Sequence, residues 1–251
     1  MLKLENVSKE FGGLTAVNDF NLELEGGQLI GLIGPNGAGK TTVTNLISGL
    51  MSLTRGTITL DGVEIGEMEP DRVARAGVAR TFQTSRLFGR MSVLENVMVA
   101  IQERERDRVS VFGCLVGLPR AYKEQREWRE KGRELLSRLG LSGLEDEKAT
   151  ALPYGGQRRL EIARAVALQP KVLLLDEPIA GMTDAEAKPL GDIFTDLCRE
   201  GIGVLLIEHN VPFVMRLCDE VHVLSYGELI ATGKPEVVIH DPAVVDAYLG
   251  S

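Results

Sequence analysis

Nine consecutive residues, Gly34-Pro35-Asn36-Gly37-Ala38-Gly39-Lys40-Thr41-Thr42, are equipped to hold a chain of phosphates. They fit the spacing G-x-x-x-x-G-K-[ST], in which each residue type has a mechanical reason. The glycines let backbone N–H groups curl around the α- and β-phosphates with no Cβ in the way. Lys40 can reach the β- and γ-phosphates, and the Thr41 hydroxyl can take one position on Mg²⁺. Asn36, Gly37, Ala38, Gly39 and Thr42 complete the expected cradle. A second group completes the chemistry. The apolar run Val172-Leu173-Leu174-Leu175 ends in Asp176-Glu177. Asp176 is expected to hold Mg²⁺ directly or through water. Glu177 cannot share that role without repulsion, and is better suited to polarise an attacking water as general base. His209 stands two residues beyond a further apolar run, Val204 to Ile207.

These groups need elements to position them. Gln28 to Ile33 reads as a buried strand and Thr42 to Leu50 as a helix, so the helix dipole faces the phosphates. Val172–Asp176 and Gly203–Glu208 suit strands buried on both faces, as in a parallel sheet. Thr183-Asp184-Ala185-Glu186 caps a helix between them. Residues 2–25 alternate and end in Gly26-Gly27, which predicts antiparallel strands. Gly56 to Gly62 is a short strand with a turn, and Val78 to Phe82 a candidate strand. Ser92-Val93-Leu94-Glu95 is a capping box before a helix to about Gln102. Residues 120–139 carry an apolar stripe of Tyr122, Trp128, Leu135, Leu136 and Leu139 in a charged surface helix. No strand signal occurs from about 84 to 150. Glu220–Leu224 and Glu228–Thr232 read as a hairpin around Tyr226-Gly227, followed by two short helices. His222 and His240 read as structural.

The chain has 251 residues, 44% hydrophobic and 25% charged, enough for a full core. A net charge of -8 argues against a broad nucleic-acid footprint. Cys114, Cys198 and Cys218 are scattered without metal-ligand spacing and read as free thiols in a reducing compartment. The N-terminus carries charge where a signal peptide needs an apolar core. Val109 to Pro119 is uncharged but far shorter than the ~20 residues of a spanning helix. A cytoplasmic chain is expected, with any membrane role supplied through a partner.

Just before the Asp-Glu strand lies Leu152-Pro153-Tyr154-Gly155-Gly156-Gln157-Arg158-Arg159-Leu160-Glu161-Ile162-Ala163-Arg164-Ala165. Two glycines open a helix there, which makes a second bare N-terminus available to an anion. With this segment the chain resembles ATP-binding cassette (ABC) ATPases essentially end to end. Phe11 stands where that family places an aromatic that stacks on adenine. Gln83 matches the glutamine that senses Mg²⁺ and the water and faces the permease. Pro153-Tyr154-Gly155-Gly156-Gln157 matches the signature usually written LSGGQ, with Tyr154 in place of the serine. Ala180 to Thr183 matches the D-loop, with Thr183 in place of Asp or Asn. His209 matches the switch histidine that contacts the γ-phosphate.

The resemblance implies an α/β fold: a P-loop NTPase (RecA-like) core with an N-terminal antiparallel β sub-domain and an inserted helical sub-domain. Residues 1–83 would hold the β sub-domain and the first part of the core. Residues 84–165 would form the helical sub-domain with the signature, and 166–251 the rest of the core. ATP and Mg²⁺ are the implied cofactors. Glu177, His209, Lys40 and Gln83 are the implied catalytic residues, and Thr41, Gln83 and Asp176 the metal contacts. Phe11, Asn36 to Thr42 and Tyr154 to Gln157 would bind nucleotide. The signature would act in trans, in a head-to-tail dimer with a second ATPase subunit, either a paralogue or a second copy.

A finer resemblance is to the ATPases of branched-chain amino acid importers. It is carried by Arg80-Thr81-Phe82-Gln83, Arg86-Leu87-Phe88, Met91 to Val97, Tyr154 to Glu161, Val111–Pro119 and Ala247-Tyr248-Leu249-Gly250. It implies two transmembrane permeases, a periplasmic binding protein reached indirectly, and a peripheral place on the inner face of the membrane. Urea, amide and lipopolysaccharide transporters carry similar cassettes. Soluble cassettes of DNA repair or translation are disfavoured, because the chain has one cassette and only a modest helical insert. A GTPase is disfavoured because no Asn-Lys-x-Asp motif occurs.

Overall fold

Alternating apolar and polar residues build the first sheet. In the computed structural model, which describes residues 1–82, 87–105 and 119–249, β1 (Leu2–Phe11) and β2 (Leu14–Leu24) pair as an antiparallel hairpin. Strand β4 (Arg55–Leu60) pairs with the other edge of β1, and β5 (Val63–Glu64) follows it. Leu2, Leu4, Leu22, Leu24, Ile58 and Leu60 all point into one core. Period-2 alternation thus gives the sheet one buried face.

The second sheet is read from continuous apolar runs. It comprises β3 (Leu29–Ile33), β6 (Val78–Arg80), β7 (Val172–Asp176), β8 (Gly203–Ile207), β9 (Glu220–Ser225) and β10 (Glu228–Gly233). Their order is β10-β9-β3-β8-β7-β6, parallel except for the antiparallel edge strand β10. Every residue of β3, β7 and β8 is buried. Between β3 and β4 runs α1 (Lys40–Ile47), and α2 (Pro70–Ala76) precedes β6. After β8 come α7 (Val211–Leu217), and beyond β10 two short helices, α8 (Pro235–Val238) and α9 (Pro242–Leu249). These elements belong to one unit, made of Met1–Arg80, Lys171–Ala180 and Phe194–Ser251.

A second unit comprises Thr81–Pro170 and Gly181–Ile193. It is helical: α3 (Val93–Glu105), α4 (Pro119–Arg138), α5 (Tyr154–Ala167) and the first part of α6 (Asp184–Arg199). Its described residues hold no strand beyond an isolated bridge, Ser92 to Lys148. The Ser92–Glu95 capping box is reciprocal: Glu95 N–H donates to Ser92 Oγ (3.2 Å) and Ser92 N–H to Glu95 Oε2 (2.8 Å). Trp128, Leu136 and Leu139 of the expected stripe are buried, and Trp128 Nε1 donates to Glu105 (2.7 Å). Tyr122's side chain lies outside the described residues.

Some boundaries and one cap differ from the sequence reading. Helix α1 begins at Lys40, two residues early, because Gly39 at φ 108° turns the chain straight into the helix. Strand β6 stops at Arg80 rather than Phe82, and the Phe82 carbonyl accepts from Arg158 Nη1 (2.7 Å) instead of a strand partner. At α6 the cap is half-formed. Glu186 accepts from both the N–H (2.9 Å) and the hydroxyl (2.8 Å) of Thr183, so the hydroxyl donates where a capping box would have it accept. Gln83, the whole run 83–86, Arg108, Cys114 and the uncharged stretch 109–118 lie outside the described residues.

Candidate active site

The glycine-rich loop after β3 is clamped from three sides within the first unit. It leaves β3 at Gly34, where a Cβ would collide with the Leu224 carbonyl oxygen. Gly39 is equally constrained, with the Ala16 carbonyl 2.5 Å from its Cβ position and φ of +108°. Only glycine fits either place. The turn after β9 adds a clip, because Gly227 N–H donates to the Ala38 carbonyl (2.9 Å) and Gly227's own carbonyl accepts from Asn18 (2.8 Å). So β2, carrying Ala16 and Asn18, is held against the loop. Asn36, Gly37 and Thr41 are exposed, Thr42 half-exposed and Ala38 buried. Phe11 ends β1 at the same hairpin and is 46% exposed, so it is no core residue. The Lys9 ammonium lies over its ring at 5.2 Å.

Lys40 opens α1 and is buried. Its Nζ donates to the carbonyls of Gly34 (2.6 Å) and Pro35 (3.0 Å). Burial lowers its pKa, while the charges of Glu177 and Asp176 oppose that shift. The lysine therefore stands in the field of both acids.

Asp176 is the last residue of β7, paired in register with Ile207 of β8. Its Oδ2 accepts from Arg80 Nη2 at 2.8 Å, and both side chains are 6% exposed. Arg80 Nη1 also donates to Asn45 Oδ1 (2.7 Å) and Ser48 Oγ (3.2 Å) on α1. One guanidinium thus fixes the carboxylate of β7 against the helix that carries Lys40 and Thr41. Glu177 follows in a left-handed conformation, φ +48°, with its N–H on the Ile207 carbonyl (2.9 Å). A non-glycine residue held there costs roughly 1–2 kcal/mol, a strain that clusters at functional sites.

His209 Nδ1 lies 3.9 Å from Glu177 Oε1 and 3.9 Å from Glu208 Oε2. The imidazole is 60% exposed, the Glu177 carboxylate 23%, and Glu208 is fully buried. Sequence reading gave Glu208, Arg80 and Arg158 no role. An acid in a strand-end segment and an arginine in a short strand carry no local signal of the partners they meet across the fold. Among the described residues no three His, Cys, Asp or Glu side chains gather into a metal cage. The Thr41 hydroxyl and the Asp176 carboxylate are oxygen donors of the kind a hard cation takes when substrate and water supply its other ligands. That donor set fits Mg²⁺.

The signature segment lies in the second unit. Helix α5 starts at Tyr154 with Pro153 at the N-cap, where no side chain caps the helix. Its first intrahelical bond is Gln157 N–H to the Pro153 carbonyl (3.0 Å), so the N–H groups of Tyr154, Gly155 and Gly156 form the open first turn. Gln157's side chain turns back to the Leu152 carbonyl (2.9 Å). The Tyr154 hydroxyl accepts from Arg158 Nε (3.0 Å), and Arg158 Nη1 also bonds Glu161 (2.8 Å). The ring stands 3.5 Å from where a Cβ on Gly181 would be.

A parallel sheet whose central strand runs into a glycine-lined loop, with an acid pair ending a nearby strand, defines a P-loop ATPase. The ABC transporter family model matches residues 17–180. A second model, branched-chain amino acid ATP-binding cassette transporter, matches residues 228–251. The chain is 41% identical over 251 residues to the high-affinity branched-chain amino acid transport ATP-binding protein LivG of Escherichia coli (strain K12), covering 100% of this chain and 98% of that one. It is 36% identical to the lipopolysaccharide export system ATP-binding protein LptB of Haemophilus influenzae, covering 100% and 97%. A crystal structure of a nucleotide-free ATP-binding cassette from an ABC transporter superposes with a TM-score of 0.85 at 33% identity, covering 100% and 99%. A dimeric bacterial ABC transporter cassette superposes at 0.80 and 25% identity, covering 94% and 99%. The chain belongs to the ABC transporter family, as an ATP-binding subunit and an ATPase.

Proposed function

We propose that this chain hydrolyses ATP for an importer of branched-chain amino acids. The observation that carries the catalytic part is the convergence of Lys40, Asp176, Glu177 and His209 at one end of one sheet. The likeness to LivG and the match of residues 228–251 support the substrate class. The likeness to LptB makes lipopolysaccharide export the second reading.

In this reading the exposed N–H groups of the loop bind the phosphates, and Lys40 leaves the loop carbonyls for the β/γ bridge. Phe11 stacks on the adenine. Thr41 and Asp176 would hold Mg²⁺, with Gln83 as a further contact; the ion would neutralise charge building up on the phosphates. Glu177 takes the proton of the attacking water, and His209 contacts the γ-phosphate. The open first turn of α5, with Tyr154, Gly155, Gly156 and Gln157, serves the ATP of a second ATPase subunit. That arrangement makes a head-to-tail dimer, beneath two permeases and fed by a periplasmic binding protein. The chain would sit peripherally on the cytoplasmic face. No helix among the described residues is long and apolar enough to cross a membrane.

Uptake of radiolabelled leucine into cells lacking this chain tests the reading. Wild type should restore uptake and Lys40→Ala should not. Unchanged leucine uptake in the deleted cells, together with loss of lipopolysaccharide at the surface, would favour export instead.

A further inference from the structure

Glu208 ends the segment leaving β8 and is fully buried. Burying a carboxylate is expensive unless its oxygens are satisfied. Among the described residues, no lysine or arginine pairs with it; the His209 imidazole is its neighbour, 3.9 Å away. Backbone donors satisfy it instead. Oε1 accepts from Ile179 N–H (3.1 Å) and Oε2 from His209 N–H (3.2 Å). Burial raises its pKa, while these bonds, the N–H of Asn210 and the His209 charge pull it back.

The two donors belong to different loops. Ile179 lies two residues beyond Glu177, and that loop is closed by Ala180 N–H on the Glu177 carbonyl (3.2 Å). His209 begins the loop after β8. One buried carboxylate therefore ties the loop of the expected general base to the loop of the expected γ-phosphate contact. His209 Nδ1 is equidistant from Glu177 and Glu208. The groups facing this point are Glu177, Glu208 and His209, with Asp176 and Lys40 near Glu177.

We propose that Glu208 is a positioning residue: it sets Glu177 and His209 at their working separation through the Ile179 and His209 amides. The inference rests on the proposed roles of Glu177 and His209. It requires acceptors on both oxygens. A glutamine of the same size offers one oxygen and one NH₂, so one of the two N–H groups would face a donor. Glu208→Gln is therefore no conservative change here.

The test uses the purified full chain and reads turnover separately from nucleotide affinity. For Glu208→Gln, kcat should fall at least tenfold while the Kd of a fluorescent ATP analogue moves less than threefold. Added to His209→Ala, the same substitution should cost less than a further threefold, because it acts partly through that histidine. A Glu208→Gln enzyme within twofold of wild type, or a full multiplicative loss on His209→Ala, overturns the proposal. Glu177→Gln serves as the control on the parent reading. If Glu177→Gln remains active, the general-base assignment falls and this proposal with it; if it is dead, only the Glu208 results decide. Should Glu208→Gln not fold, amide exchange in the wild type decides. Ile179 and His209 amides should be protected at least tenfold relative to open loop amides, and unprotected exchange at both overturns the proposal.

Discussion

Lys40 and Glu177 share one electrostatic field, yet their loss should be felt differently. Lys40→Ala removes the ammonium proposed to meet the β/γ-phosphates, so Mg-ATP affinity and turnover should both fall. A calorimetric titration with unchanged affinity would count against the loop assignment. Glu177→Gln keeps size and hydrogen bonding but cannot act as a base. Turnover should drop by about 10²–10⁴, with nucleotide affinity retained. Phe11→Ala should weaken ATP and GTP binding alike, by about 1–3 kcal/mol if base–aromatic stacking in nucleic-acid binders is the guide. A loss confined to ATP would mean that another residue reads the base. At this scale the sequence exposed the groups whose spacing is local: Gly34 to Thr42, Asp176-Glu177, His209. It hid Arg80 and Glu208, because their partners lie far along the chain, at Asp176, Asn45 and Ile179.

Among elements, α5 is informative because its first turn is left open. Pro153 holds the N-cap with φ -60° and ψ 160°, a conformation any capping residue adopts, and no acidic residue occupies the first turn. Pro153→Asp should supply a side-chain acceptor and a favourable charge at the dipole. That should stabilise the chain by about 0.5–1 kcal/mol, seen as a rise in Tm. The same carboxylate would repel a triphosphate there, so hydrolysis in the dimer should fall while stability rises. A parallel rise in both would show that no anion meets this turn. Tyr154→Phe isolates the hydroxyl bond to Arg158, worth about 0.5–1.5 kcal/mol. Helices with a long apolar stripe or a capping box, such as α3 and α4, were legible in advance. Helix α2 was missed: it is seven residues long and buries only Val73, too little for a periodic signal. Strand β6 was over-extended because Thr81 and Phe82 look like strand residues, while the Phe82 carbonyl is claimed by Arg158.

At the scale of the molecule, the two sheets and the helical unit follow from a change in period. Alternation marks β1, β2 and β4, continuous apolar runs mark β3, β7 and β8, and a stripe marks α4. The order of strands was not written in any local pattern, since it depends on which edges meet. That order has a consequence for how the chain is made. Strand β3 lies between β8 and β9, so both its neighbours are synthesised long after it. At ordinary translation rates, about 190 residues separate Ile33 from the end of β9, roughly 10–40 s on the ribosome. Until β8 is made, late in that interval, an apolar strand has no partner on either edge, and until β9 is made none on its second edge, an invitation to mispairing. Arrested chains ending near residue 200 should bind chaperone and no ATP. Chains released beyond the β9–β10 turn, where Gly227 clips the loop, should bind ATP and let the chaperone go. Nucleotide binding by the shorter chains would show that the loop closes without its late-arriving neighbours.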